Sequence, residues 1–443
     1  MTASADLRSP TASRPILAPR NGRWPGCYDD RLPSVICRAG VRCTLSAVAA
    51  AVLLSALASC AGPRAEGTSP SSPLPAPPPA LTAREISDLI PERVADRHGW
   101  SEVILDGLVR NGVRPERTSV CAVIAVIGQE SGFQENPVVP GLARIVRARV
   151  DRYKTKLGPL GDPLLERLLD GHAPNDPRSF TARMDTVRTE RDVDLLFRDL
   201  LSYYQANHPA LMELARWAGK LVDLDDLTEL DPITTAGSMQ VSVRFATEWA
   251  RDHEGAAAPG SVRDALYTRA GGVYYGAARL LDYPSHYPLP LYRFADYNAG
   301  YYASRNAAVQ AQLVQLTGLP LALDGDLLAY ERNGDPSAGD SASERAVQAF
   351  ARRFAPELTP RQIRDDLLQE KTLAFEGTET YRAIKAAVSR RGGRPDEYAR
   401  LPDLALVSPK LSRPLSTAWF ARAVDRRYQA GLGVQSGDAQ PRL

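Results

Sequence analysis

A single carboxylate, Glu130, ends an otherwise apolar stretch of the chain. Residues 120–127, just before it, carry no charged side chain, so we expect a helix that is buried on all sides. A carboxyl group beside such a core, with no Lys or Arg near it in the sequence, has a raised pKa and can serve as a general acid at neutral pH. Glu130 is therefore a candidate catalytic acid, and the alternative is that it only bonds a local turn.

Two later motifs make the catalytic interpretation stronger, because all three follow in the order seen in one superfamily. They are Glu130-Ser131-Gly132-Phe133, Gly237-Ser238-Met239-Gln240 and Tyr297-Asn298-Ala299-Gly300. A Glu-Ser pair ending a core helix, a Gly-x-Met-Gln turn and an aromatic helix with Tyr-Asn-Ala-Gly are typical of the soluble lytic transglycosylases and goose-type lysozymes. The resemblance to this superfamily is limited to short, separate segments within about residues 120–310. Residues 272–281 resemble the helix before the last motif. The resemblance implies a mainly α, lysozyme-like fold.

The resemblance also implies an activity, which is cleavage of the bond between N-acetylmuramic acid and N-acetylglucosamine in peptidoglycan. In the transglycosylases one glutamate protonates the leaving oxygen. As a carboxylate it then takes the proton of the muramic acid 6-hydroxyl, which closes on its own anomeric carbon without water. Carried over to this chain, Glu130 is the acid and then the base. The other implied site residues position the sugar or hold the glutamate and the N-acetyl group: Ser131, Met239, Gln240, Tyr297 and Asn298. No cofactor and no metal are implied.

Hydrolysis of a glycosidic bond usually needs a second carboxylate. Asp296 and Glu135 are the nearest candidates in the sequence. The alternative for both is an ordinary solvated position on a helix or loop.

The spacing of the motifs departs from the common members, in which the first two lie a short loop apart. Here 107 residues separate Glu130 from Gly237. Helical patterns broken by Gly and Pro fill residues 141–234, so we predict a helical insertion that walls the substrate cleft. The chain thus resembles a divergent, uncharacterised branch of bacterial lipoproteins. A peptidoglycan-binding or scaffold lipoprotein with the same fold but no catalysis is the alternative function.

The remaining periodicity is helical almost throughout. We predict one lysozyme-like helical domain over residues 85–443, with a helical C-terminal extension over residues 315–434. Residues 322–341 are rich in Gly and Asp and are expected to form a loop, and a further helix is expected to begin at Pro360.

The amino terminus predicts a lipoprotein signal peptide over residues 1–60. Residues 44–59 are apolar but too short to span a bilayer comfortably, and they follow Arg38 and Arg42. The sequence Leu57-Ala58-Ser59-Cys60 resembles a lipobox, so Cys60 is the expected lipidation site. Residues 1–40 are unusual for a leader, and our hypothesis is that translation begins near Val35 or Val41.

Residues 61–84 are Pro-rich and predict an extended linker between the lipid and the domain. Ala61 stands where an aspartate would mark retention in the inner membrane. We therefore expect a protein anchored by lipid to the membrane and facing the periplasm, with the outer membrane favoured.

Composition excludes several other classes of protein. Residues 1–60 hold seven of the 54 basic side chains and three of the 52 acidic ones, so the remainder has a net charge near −2 and no basic face for nucleic acid. The five His are scattered without the spacing of a zinc site, and no phosphate-binding loop or Gly-x-Ser-x-Gly motif is present. Of the five Cys, only Cys60 and Cys121 follow the leader, which leaves no disulfide framework.

Overall fold

The structure is a computed structural model that describes residues 78–157, 166–210, 233–254, 259–331, 334–406 and 415–433. The predicted signal peptide, Cys60 and the linker up to residue 77 lie outside the described residues. Residues from 79 onwards belong to one compact unit. No helix in the described ranges combines the length and the apolar character that crossing a membrane requires.

The described part of the chain is mainly α-helical, as the sequence predicts. Its helices are α1 (Ala83–Leu89), α2 (Arg97–Arg110), α3 (Arg117–Glu130), α4 (Leu142–Leu157), α5 (Phe180–Met184), α6 (Glu190–Asn207), α7 (Val243–His253), α8 (Pro259–Leu266), α9 (Arg269–Leu281), α10 (Pro290–Ala299), α11 (Ala303–Thr317), α12 (Ala342–Phe354), α13 (Pro360–Leu367), α14 (Glu379–Arg390) and α15 (Thr417–Leu432). A short 3₁₀ helix covers Leu373–Gly377.

Two pairs of very short antiparallel strands accompany these helices. β1 (Thr235–Ala236) pairs with β2 (Val241–Ser242), and β3 (Ala405–Leu406) pairs with β4 (Leu415–Ser416). The turn that joins β1 to β2 is the Gly237–Gln240 motif, so this hairpin fixes the ends of the second predicted motif.

Several helices begin where local chemistry favours a start. Thr82 and Glu85 form a reciprocal capping box at α1, and Thr189 and Asp192 do so at α6. The helix expected at Pro360 is confirmed, since Pro360 is its first residue and the Thr359 side chain accepts a hydrogen bond from the backbone N–H of Gln362. Residues 322–331 and 334–341 contain no helix, which agrees with the predicted loop.

Helix α3 lies at the centre of the first hydrophobic core. Every residue from 120 to 127 is at most 8% exposed, which confirms the prediction of a helix buried on all sides. Helices α2, α9 and α15 pack against it. Its carboxyl end carries Glu130, so the candidate acid is held by a rigid, fully packed element.

The insertion predicted over residues 141–234 is helical where it is described, in α4, α5 and α6. Asp194 on α6 is fully buried and forms ion pairs of 2.8 Å with Arg198 on the same helix and with Arg263 on α8. A buried carboxylate is tolerated only when it is paired in this way. The contact with Arg263 joins α6 to α8, the second helix after the Gly237–Gln240 turn.

A second hydrophobic core is formed by α11, α12, α13 and α14. The predicted start of the C-terminal extension, residue 315, falls inside the last turn of α11. Helix α15 does not continue this second core, because Phe420, Val424 and Tyr428 belong to the first core and α15 packs on α3 and α10. The end of the described chain thus supports the helix that carries Glu130.

Candidate functional site

Glu130 is the last residue of α3 and is half-buried at the end of the first core. The chain turns sharply after it, because Gly132 and Phe133 both adopt positive φ, at 60° and 67°. The left-handed conformation is uncommon for a residue with a bulky side chain. It is maintained by packing, since the Phe133 ring meets the Trp100 ring edge-on with centroids 5.4 Å apart. This turn ends the helix and leaves the Glu130 side chain beside the third motif.

Tyr297 on α10 is the neighbour of Glu130 from that third motif. Burial raises the pKa of the Tyr297 phenol well above its usual value, and the nearby charge of Glu130 raises it further. Its hydroxyl donates a 2.7 Å hydrogen bond to the backbone carbonyl of Met239. One tyrosine therefore contacts the second motif and lies within electrostatic reach of the first.

Met239 is fully buried, and its position depends on glycines. A methyl group at Gly276 of α9 would overlap with the Met239 sulfur and lie 2.8 Å from its Cβ. Gly237 has φ of 80°, and a methyl group there would overlap with the carbonyl oxygen of Leu266. The turn can lie directly on α9 and α8 only because these two positions lack side chains.

Gln240 closes the turn in a left-handed conformation, with φ of 51°. Its amide nitrogen donates to Glu190 Oε2 at 2.9 Å and to the carbonyl of Gly237 at 3.3 Å. Its amide oxygen accepts from the Thr235 hydroxyl at 3.1 Å. Both ends of this half-buried side chain are thus oriented by protein groups.

Tyr297 links two of the predicted site residues, because it lies within electrostatic reach of Glu130 and bonds to Met239. The other two, Ser131 and Asn298, bond to other parts of the protein. Ser131 is buried, donates to the carbonyl of Ile127 at 3.2 Å and accepts from the N–H of Gln134 at 3.2 Å. The Asn298 side-chain oxygen accepts from the Thr417 hydroxyl on α15 at 3.2 Å. These contacts shape the turn after α3 and attach α15 to α10.

The two carboxylates considered as a second catalytic group have structural partners. Asp296 is fully buried rather than solvated, and it accepts hydrogen bonds from Tyr287 at 2.5 Å and from the N–H of Ser304 at 2.7 Å. Burial raises the pKa of Asp296 despite these bonds. Glu135 forms an ion pair of 3.1 Å with Arg269.

The carboxylate that does reach the site is Glu190, which the sequence interpretation missed. It is the first residue of α6, in the segment predicted to be an insertion, and it is only 5% exposed. The Thr189 capping box marks the start of that helix in the sequence. Nothing local indicates its contact with Gln240, which lies 50 residues further along the chain.

The comparisons with known proteins identify a family without a described activity. Residues 93–433 match the family described as "Protein of unknown function (DUF1615)". The chain is also similar to "Uncharacterized protein YaiW" of Escherichia coli strain K12, with 33% identity over 351 residues, which cover 78% of this chain and 88% of the relative. No solved structure matches the chain significantly. The chain belongs to the DUF1615 family.

Proposed function

We propose that the protein is a lipid-anchored, lytic transglycosylase-like enzyme that cleaves the bond between N-acetylmuramic acid and N-acetylglucosamine in peptidoglycan. The observation that carries the proposal is the position of Tyr297. It donates a hydrogen bond to Met239 of the second motif and lies near the carboxylate of Glu130. This one tyrosine links residues of the three motifs, which are far apart in the sequence, and that link supports the proposal.

In the proposed reaction, Glu130 donates its proton to the glycosidic oxygen as positive charge develops on the anomeric carbon. The C–O bond to the leaving sugar breaks, and the carboxylate then takes the proton of the muramic acid 6-hydroxyl. That oxygen bonds to the anomeric carbon and closes a 1,6-anhydro ring. Glu130 ends the cycle protonated, so the reaction needs neither water nor a second catalytic carboxylate.

The other residues of the site position groups around Glu130 in this proposal. Tyr297 fixes the Met239 carbonyl and, through it, the turn that ends in Gln240. Glu190 fixes the amide of Gln240, so the insertion contributes to the site through one hydrogen bond. The ion pairs of Asp194 hold α6 in place, which keeps this bond in register.

One observation favours the alternative function, a peptidoglycan-binding lipoprotein without catalysis. The amide nitrogen and oxygen of Gln240 already bond to Glu190 and Thr235. A substrate group that used this amide would have to displace one of these partners or share it. If these bonds persist in the complex, the Gln240 amide does not contact the glycan, and other groups around the site must bind it.

The test is digestion of purified peptidoglycan sacculi by the full chain, with products resolved by mass spectrometry. We expect 1,6-anhydromuropeptides from the wild type and a loss of about 10²–10⁴-fold in rate for Glu130→Gln. Glu135→Gln is the matched control, since it removes a nearby carboxylate that pairs with Arg269, and it should retain activity. Products with reducing ends would indicate a hydrolase. Sacculi bound but left intact by every variant would favour the non-catalytic function.

The lipid anchor is a separate part of the proposal. We propose that Cys60 is acylated and tethers the enzyme to the outer membrane, facing the periplasm. Mass spectrometry of the amino-terminal peptide should find a lipidated Cys60, and Cys60→Ala should release the protein into the soluble fraction. An unmodified peptide that begins before Cys60 would contradict it.

A further inference from the structure

A surface cavity of about 320 Å³, open to solvent, is formed by α14 and the segment that follows it. It plays no part in the proposed cleavage reaction. Its lining combines aromatic and charged side chains: Tyr381, Arg382, Lys385, Pro395, Asp396 and Tyr398. This volume is at the lower end of those known for small-molecule sites, so it suits a single amino-acid residue or a single sugar ring.

Lys385 is the central cation of this cavity. Its ammonium lies 5.1 Å from the centre of the Tyr381 ring and 5.5 Å from that of Tyr398. It donates one hydrogen bond, of 3.1 Å, to the backbone carbonyl of Glu397. Burial lowers the pKa of Lys385 to about 8, so its charge is held at a cost in free energy.

The carboxylates nearest to Lys385 do not pair with it. Glu376, Glu397 and Asp396 favour its charged form from a distance, while Arg305 opposes it. Glu376 binds His286 at 2.8 Å, and Glu397 binds Arg400 at 3.1 Å.

The second cation of the cavity, Arg382, donates to the backbone carbonyl of Thr378 at 3.2 Å. Across the described ranges of the chain, neither Lys385 nor Arg382 forms an ion pair with a carboxylate. These two cations outnumber Asp396, the one carboxylate of the lining, so the net positive charge of the cavity favours an anion from outside.

We propose that this cavity binds a ligand that carries a carboxylate. The ammonium of Lys385 and the guanidinium of Arg382 take the carboxylate, and the exposed ring of Tyr398 covers the apolar part beside it. Two sources share this chemistry, namely the terminal residue of a peptide and a sugar acid. The proposal rests on this cavity alone and is independent of the glycan cleavage proposed above.

The experiment is isothermal titration calorimetry of the full chain with two carboxylate probes. N-acetyl-D-alanyl-D-alanine represents the peptide source and N-acetylmuramic acid the sugar acid. Their neutral counterparts are the dipeptide amide and N-acetylglucosamine. We expect one carboxylate probe to bind and its neutral counterpart to bind at least tenfold more weakly, and the probe that binds identifies the source.

Variants locate the binding. Lys385→Met keeps the length of the side chain and removes the charge, so affinity should fall about tenfold or more. Arg390→Met removes an exposed cation from the same helix outside the cavity and should change affinity less than twofold. Thermal unfolding of both variants checks that the fold is intact.

The pH dependence supplies a second measurement, which a merely structural lysine would not produce. As the pH rises through about 8, Lys385 loses its proton and affinity for the carboxylate should fall. The proposal is overturned if neither carboxylate binds at roughly 1 mM, if the neutral probes bind equally well, or if Lys385→Met binds like the wild type. These binding experiments do not depend on cleavage of sacculi, so a negative result would leave the proposed cleavage reaction unaffected.

Discussion

Two clusters of polar side chains lie in this helical molecule, one around Glu130 and one around Glu370, and they differ in how they are enclosed. Glu370 in the second core is fully buried and accepts from the N–H of Leu328 at 3.2 Å, from the Asn306 amide at 3.1 Å and from the Tyr330 hydroxyl. Beside it, Lys371 pairs with Asp326. The two charged groups at its centre, Glu370 and Lys371, are closed to solvent.

The cluster around Glu130 uses the same kinds of residue but remains half-buried, at Glu130, Gln240 and Tyr297 alike. Buried polar groups that satisfy one another rigidify a core, whereas a partly exposed acid beside oriented donors and acceptors can meet a substrate. Enclosure, rather than residue type, separates the structural cluster from the candidate catalytic one.

The largest expected effect on stability comes from a substitution that disrupts the cluster around Glu370. Glu370→Ala removes the acceptor from four donors, including the N–H of Leu327, and leaves Lys371 with less opposing charge, so the free energy of unfolding should fall by about 3–5 kcal/mol. Urea denaturation followed by circular dichroism measures this loss. Glu130→Gln should change the same quantity by less than about 0.5 kcal/mol. Similar losses in the two variants would remove the distinction between the clusters.

A pH dependence of stability follows from the closed cluster. Burial raises the pKa of Glu370 from 4.5 to about 7. Between these values the folded chain keeps a proton that the unfolded chain has lost, so the free energy of unfolding falls as the pH rises, by roughly 3 kcal/mol. Glu370→Gln cannot titrate, and the difference between it and the wild type, measured by urea denaturation across this range, should show the slope. A constant difference would mean that Glu370 is already ionised at the lower end.

The next effect tests whether α6 contributes to the cluster around Glu130. Glu190→Ala leaves the Gln240 amide without its carboxylate partner, so cleavage of glycan should slow about tenfold, equivalent to ~1.4 kcal/mol. Glu190→Gln keeps an acceptor oxygen and should recover most of the rate. Arg191→Ala, at the exposed neighbouring position, is the control. The side-chain amide signals of Gln240 in NMR spectra should shift in the alanine variant alone, and an unchanged spectrum would contradict the contact.

The smallest effect concerns the close approach of the turn to α9. Gly276→Ala places a methyl group against Met239, and the strain should exceed the gain in helix propensity by ~1 kcal/mol. Gly128→Ala is the matched control, because its methyl group would meet no atom closer than 3.6 Å. Thermal unfolding compares the two variants, and equal stability would show that Met239 can move aside without cost.

Sequence alone predicted the elements that local patterns determine. The apolar run at residues 120–127 specifies a buried helix, and Pro360 marks a helix start, because both depend on neighbours within a turn or two. The mainly helical architecture and the candidate acid at the end of α3 were accessible in the same way.

The contacts that define the site were less accessible, because they join residues that are far apart in the chain. The bond of Glu190 to Gln240 spans 50 residues, and that of Thr417 to Asn298 spans 119 residues. Asp296 was expected in solvent, yet two tyrosines and a backbone N–H enclose it. Periodicity assigns a residue to an element, but it does not identify the partner that the packed elements bring to it.

The position of α15 has a consequence for biogenesis. This helix packs against α3 and α10, and its Thr417 bonds to Asn298, yet it is the last helix described in the chain. A chain emerging amino terminus first cannot complete the packing around α3 and α10 until residues 417–432 have arrived. Under the proposed function, the order of synthesis would keep the candidate site incomplete until α15 is made, and a product truncated before α15 would be inactive.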